Sequence, residues 1–347
     1  MGPQFEEQES SSGADNVRVA PAAQPRRGRG WSRILVCGGA SSLAAAVISL
    51  GGATAHSAPS VAGRQGLIVF EQERPAGNHT QTDLLTVSAR GTGVVQVTAT
   101  PGRNEFGPAW SPTGARLAFW RTRAPFGPGS VWVVNGDGSG QRRLTTGVDA
   151  RDPSWNPVGT RLVYSAAADD LFTLRVSRPG HRRQLTSGRA EDFEPAWSPD
   201  GAQIAFTRGF ARGDPGDLYR LTLATHAVVP VTRSAAYDHQ VAWAPGGHRL
   251  VFERDFPRRS SIFTVRPDGS GLRQLTRGAH FDTGPTFSPN GQLIVFGSDR
   301  GSRGTDLWVM DRDGGNLHRL LHLRFLEGFP DWTAGVAARV SAAGALP

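Results

Sequence analysis

The chain has 347 residues, with 38 basic side chains that are all arginine, 30 acidic ones and a formal net charge of +8. Its one cysteine, Cys37, excludes an internal disulfide and a cysteine-ligated metal centre. The arginines are spread along the chain, which suits anionic wall polymers or lipid head groups and does not mark a nucleic-acid ligand.

Residues 1–33 carry Glu6, Glu7, Glu9, Asp15 and a Ser10-Ser11-Ser12 run without an apolar period, and they end in Arg26, Arg27, Arg29 and Arg33. This composition predicts a disordered, basic-ended cytoplasmic segment. Residues 34–55 are uncharged and rich in Ala, Gly and Leu, with Ala53-Thr54-Ala55 as a small-residue cleavage site. Two readings stay open: a signal-peptide core that is cleaved, or a transmembrane anchor that is retained. Both export the remainder, because the arginines stay inside, and both confine membrane contact to this segment. Residues 56–65 read as a linker.

From Gly66 onward the chain repeats. Trp110, Trp155, Trp197, Trp243, Phe287 and Trp332 recur at intervals of 42 to 46 residues, the period of propeller blades. In the copy from Pro195 to Gln240, Ala196-Trp197-Ser198 is a short strand and Pro199-Asp200-Gly201 a tight turn. Gln203–Thr207, Asp217–Leu221 and Val228–Thr232 follow as strands, with Pro230 tolerable on an outermost edge. Other copies repeat the second strand as Leu117-Ala118-Phe119, Leu162-Val163-Tyr164, Leu250-Val251-Phe252 and Ile294-Val295-Phe296. Fourth strands end in Leu-Thr at Leu144-Thr145, Leu185-Thr186 and Leu275-Thr276.

The two ends complement each other. Gly66-Leu67-Ile68-Val69-Phe70 begins at a second strand, and Pro330-Asp331-Trp332-Thr333 is a first strand with nothing after it. Joined, they complete one blade and close the ring. The fold class expected is all-β: a six-bladed β-propeller of four-stranded antiparallel blades over residues 66–335, closed by the C-terminal strand joining the N-terminal blade. Residues 336–347 form a tail.

The Pro-Ala-Trp-Ser-Pro-Asp-Gly turn followed by Ile-Ala-Phe resembles the WD40-like repeat of TolB-like propellers, and the copies cover nearly the whole globular part. The resemblance implies the six-bladed fold. An N-terminal α/β domain like that of TolB is not expected, since only a leader precedes Gly66.

Within a blade the turns between first and second and between third and fourth strands share one face and are short. Long, varied connections on the other face, such as Glu71 to Asp83, Arg121 to Ser130, Thr207 to Asp217 and Gly297 to Asp306, are where binding residues are expected. Five residues before the markers stand Glu105, Asp192, Asp238, Asp282 and Glu327, with Ala150 beside Asp149 in the remaining copy. These acids read as entering the blade-to-blade connections near the channel mouth, accompanied by Phe106, Phe193, Tyr237, Phe281 and Phe325. Such a ring binds a cation, a basic peptide tail or a sugar through charge and stacking; alternatively each acid accepts backbone N–H bonds to shape its turn. His239 and Trp120 depart from the repeat and join the candidates.

No catalytic constellation emerges: there is no Gly-x-Ser-x-Gly elbow and no His-x-His or His-Glu-x-x-His spacing. Asp137-Gly138 and Asp311-Arg312-Asp313-Gly314 lack the acidic final ligand of a calcium loop. The expectation is a non-enzymatic, extracytoplasmic scaffold without cofactor or metal, binding an envelope protein or peptide at its loop-rich face. The alternative is a carbohydrate-binding or lyase-like propeller.

Overall fold

A computed structural model of the chain describes residues 66–76, 79–123, 127–166, 169–210, 215–301 and 304–333. The leader segments and the tail named above lie outside the described residues. The described strands form six antiparallel four-stranded sheets. Blade 1 is built from Leu326–Thr333, Leu67–Ala76, His79–Ser88 and Val95–Gln96, so the strand nearest the C-terminus pairs with the first one of the propeller. Blades 2 to 6 follow in chain order. Their first strands are Asn104–Trp110, Ala150–Trp155, Ala190–Trp197, Tyr237–Trp243 and Asp282–Phe287. Each first strand packs beside the first strands of the neighbouring blades, which makes these six the innermost ring.

The blades stack through alternating apolar side chains. Leu162, Tyr164 and Trp155 of blade 3 pack on Ala118, Val131 and Val133 of blade 2, and Trp332 of blade 1 packs with Val295 and Leu307 of blade 6. Trp110, Trp155, Phe287 and Trp332 are all buried, and the Trp155 and Trp243 indoles donate to the carbonyls of Ala109 and Ala196 in the preceding blades. The periodic aromatics are thus inter-blade core.

The Leu-Thr ends have a physical cause. Thr98, Thr145, Thr186, Thr232 and Thr276 each accept, through Oγ1, the backbone N–H of a third-strand residue at 2.9–3.0 Å: Leu84, Val131, Leu171, Leu218 and Ile262. Most fourth strands have two to four residues, Arg178–Gln184 of blade 3 being longer, and the threonine takes over where the backbone ladder stops. Pro230 sits in the outermost strand Ala227–Pro230, where a missing N–H is harmless.

Two expectations need correction. Glu71 to Asp83 is not an irregular loop: Leu67–Ala76 and His79–Ser88 pair along their whole length, with Arg74 held on Asp83 at 2.6 Å. The acids five residues before the markers lie inside the first strands rather than in connections, because those strands begin four to six residues earlier than the Ala-Trp-Ser segment suggests.

Every first strand carries a β-bulge at the same place. The register with the second strand slips between Phe106 and Ala109, Arg151 and Ser154, Phe193 and Ala196, His239 and Ala242, Thr283 and Thr286, and across Gly328 to Asp331. Three residues before each marker the backbone is left-handed: Gly107 (φ 57°), Asp152 (52°), Glu194 (53°), Gln240 (53°), Gly284 (55°) and Phe329 (48°). Non-glycine residues in that region cost energy and persist where surrounding structure enforces them. Gly107 is required for a second reason, since a Cβ there would lie 3.0 Å from Trp120 Cδ1.

Candidate functional site

The acids five before the markers are buried, and four of the five are committed to arginine. Asp238 and Asp192 pair in bidentate fashion with Arg254 and Arg208 of the adjacent second strand, and Glu105 pairs with Arg121 at 2.8 Å. Asp282 is bound by Arg300 and accepts the Ser298 hydroxyl at 2.6 Å. Each arginine also lies over blade aromatics, as Arg254 does over Phe263 at 4.7 Å and Arg121 over Trp132 at 4.4 Å. Glu327 has no arginine; it accepts the Leu323 N–H at 3.4 Å, and burial pushes its carboxyl up to about 8. Glu105, Asp192, Asp238 and Asp282 are therefore internal anchors between first and second strands, and Glu327 is buried against the connection before its own strand, so the five form no free ring of charge.

Of the accompanying aromatics, the fold brings two groups together. Phe193, Tyr237 and His239 form a run of rings across blades 4 and 5, with centroid separations of 6.3 and 4.4 Å. Phe106 tilts against Trp120 at 4.6 Å, and the Arg151 guanidinium lies 5.5 Å from the Trp120 ring. Trp120 is only 5 % exposed, so its face is already occupied by these neighbours. Phe281 stands apart and exposed, and Phe325 lies beneath Arg324 at 5.7 Å.

A different set of carboxylates faces the innermost ring. Glu71 accepts the Gly107 N–H at 2.6 Å, Glu194 the Gln240 N–H at 2.8 Å, and Glu253 the Gly284 N–H at 3.1 Å. In each case a carboxylate of one blade satisfies the bulge amide of the next. Asp331 does the same for the Trp110 N–H at 2.6 Å. Asp152 accepts the Ser165 hydroxyl at 3.3 Å. Glu71 and Glu194 are held by backbone amides, and Arg151 lies near enough to Asp152 to favour its charged form in part. Burial pushes Glu71 up to about 8, with Asp152 repelling it, and pushes Asp152 up to about 7, with Glu194 repelling it. Carboxyl groups are thus crowded along an arc from blade 1 to blade 4, and burial with mutual repulsion makes Glu71 and Asp152 hold their protons to higher pH than usual.

At the end of this arc lies His239, buried between Glu194, Glu253 and Asp255. Its Nδ1 is 3.7 Å from Glu194 Oε2, and its Nε2 is 3.4 Å from Asp255 Oδ2 and 3.6 Å from Glu253 Oε1. Burial opposes its charge, but Glu253 and the other carboxylates prevail and hold its pKa well above the ordinary value.

Of these residues only His239 stands out in the sequence. Asp152 and Glu194 share the position three before the marker, and Glu71 and Glu253 both follow the second-strand phenylalanine, but each position is acidic in only two of the six blades, so the pattern is faint. A usable signal exists: three before the marker the chain places Gly, Asp, Glu, Gln, Gly and Phe, a set weighted toward residues that tolerate or stabilise left-handed backbone.

A model of the TolB beta propeller domain family matches residues 150–335. Over 125 residues, 36 % of this chain and 28 % of the relative, the sequence is 46 % identical to the Tol-Pal system protein TolB of Bordetella pertussis. A TolB homolog from Chlorobium luteolum is 34 % identical over 138 residues, 40 % of this chain and 29 % of that protein. The matched region therefore spans less than a third of these curated relatives. The crystal structure of TolB from Acinetobacter baumannii superposes with a TM-score of 0.66 at 19 % identity, covering 77 % of this chain and 66 % of that one.

Proposed function

The chain belongs to the TolB beta propeller family, and from that premise we propose that it is a non-enzymatic binding scaffold outside the cytoplasmic membrane that holds a basic segment of an envelope protein. The observation that carries this reading is the arc of Glu71, Asp152 and Glu194. Glu71 and Asp152 are pushed up chiefly by burial and further by the repulsion of neighbouring acids, which Arg151 only partly offsets at Asp152, whereas Glu105, Asp192, Asp238 and Asp282 are paired directly with arginine. A lysine, arginine or terminal amine brought against the arc relieves that repulsion, and the Phe193–Tyr237–His239 rings beside it offer apolar faces for the aliphatic stem of such a side chain.

Export is supported by the arginines before residue 34 and the uncharged stretch after them. A place in an envelope assembly is supported by the similarity to proteins named for the Tol-Pal system. The test is photo-cross-linking in intact cells, with the cross-linker in place of Phe193, followed by mass spectrometry. One dominant protein partner, cross-linked through a peptide rich in lysine or arginine, is the expected result. Recovery of glycan alone, or turnover of a polysaccharide by the purified chain, overturns the reading.

A further inference from the structure

We propose that His239, Glu253 and Asp255 form a binding site for a borderline divalent metal ion such as Zn2+, with His239 Nε2 and one oxygen of each carboxylate as ligands. The three donor atoms lie within 4.8 Å of one another. The case rests on the geometry of Nε2. This atom is buried and has no hydrogen-bond partner, although carboxylate oxygens stand 3.4 and 3.6 Å away. Those separations are poor for hydrogen bonds. They match the spacing of about 3.3–3.6 Å between donors on the edge of a tetrahedron whose metal–ligand bonds are about 2.0–2.2 Å.

The surroundings of the imidazole suit the same role. Glu194 Oε2 stands 3.7 Å from Nδ1, and Glu194 is itself fixed by the Gln240 N–H and side-chain amide. At that distance Glu194 makes no hydrogen bond to the ring, but its negative charge beside Nδ1 favours the proton on that nitrogen and leaves the Nε2 lone pair, made more basic, for a metal. The Tyr237 ring, stacked at 4.4 Å, holds the imidazole plane. Glu253 remains anchored through its other oxygen, Oε2, to the Gly284 N–H, which leaves Oε1 for the ion. Asp255 is 32 % exposed and lies where an ion and a completing water enter from solvent.

The donor set decides the class of ion. One nitrogen and two carboxylate oxygens suit Zn2+ and its first-row neighbours, whereas Ca2+ takes six to eight oxygen ligands, about twice what this cluster supplies. All three ligands belong to blade 5, His239 to its first strand and Glu253 and Asp255 to its second, so an ion here pins the bulge of the first strand to the strand beside it.

The experiment uses the full chain, stripped of metal with chelator and dialysed. Zn2+ is titrated by calorimetry, and Co2+ is added as a spectroscopic probe. One equivalent of Zn2+ is expected to bind. Co2+ is expected to give visible absorption of tetrahedral intensity that Zn2+ abolishes. Asp255→Asn, at the exposed edge, should retain the wild-type circular dichroism and weaken Zn2+ at least tenfold, with the Co2+ band lost. Glu194→Gln should weaken Zn2+ about 10- to 100-fold through loss of the orienting partner. The proposal is overturned if no stoichiometric binding occurs, if folded Asp255→Asn binds Zn2+ as the wild type does, or if Ca2+ binds and Co2+ gives no tetrahedral band. None of these readouts depends on a protein partner.

Discussion

Glu194 in blade 4 accepts the backbone N–H of Gln240 in blade 5 at 2.8 Å, and both residues hold left-handed backbone at the same point of the repeat. One carboxylate thus satisfies the amide that the neighbouring bulge leaves without a ladder partner. Glu71 with Gly107 and Glu253 with Gly284 solve the same problem from second strands. The acidity of the inner ring therefore begins as a structural need of the bulges, and the charge left after that need is met is what a cationic partner can use.

The acids five before the markers have a different role, and their loss should be felt in stability. Arg254→Met leaves Asp238 buried without its bidentate partner, which should destabilise the propeller by about 3–5 kcal/mol. Urea unfolding followed by tryptophan fluorescence measures this. The double variant Arg254→Met with Asp238→Leu should recover much of the loss, because no charge then remains buried alone.

The threonine clasp gives a smaller effect. Thr276→Val keeps the shape but removes the acceptor of the Ile262 N–H, a buried bond of 2.9 Å. A loss of about 1–3 kcal/mol is expected from the unsatisfied amide, again read by urea unfolding. Thr232→Val, which frees the Leu218 N–H, should cost a similar amount and should also loosen the Asp217 side chain that accepts the Thr232 hydroxyl.

Stability should also depend on pH through Glu71. Its carboxyl is raised from 4.5 to about 8 by burial, so between these values the folded state binds a proton that the unfolded state has released. The stabilisation is complete below pH 4.5 and is lost as pH rises through 8. Glu71→Gln keeps an oxygen for the Gly107 N–H but removes the titration. It should melt higher than the wild type at pH 8, by the equivalent of about 4 kcal/mol, and no higher at pH 4. Thermal melts across this range test the slope.

Much of the architecture was legible because the repeat encodes it. The marker aromatics, the Leu-Thr ends and the split blade at Leu67 and Trp332 each reflect a contact that every blade must make. The site was less legible. Asp238 and Asp192 recur because an arginine one strand away needs them, and that arginine was visible but unpaired in one dimension. Glu71, Asp152 and Glu194 are brought into one arc by ring closure and bulges, which no local pattern records. Glu71 to Asp83 reads as a loop in one dimension because its polar residues, among them Arg74, Gln81 and Asp83, are satisfied by one another in a long hairpin rather than by solvent.

The measurement that bears most directly on the central claim is cross-linking from position 193 in intact cells, compared between the wild type and the charge-neutral variant Glu71→Gln with Asp152→Asn. The account predicts one dominant protein partner, captured through a basic segment, and at least a tenfold drop in its yield from the folded variant. A partner captured equally by both proteins, or no protein partner in either, would contradict it.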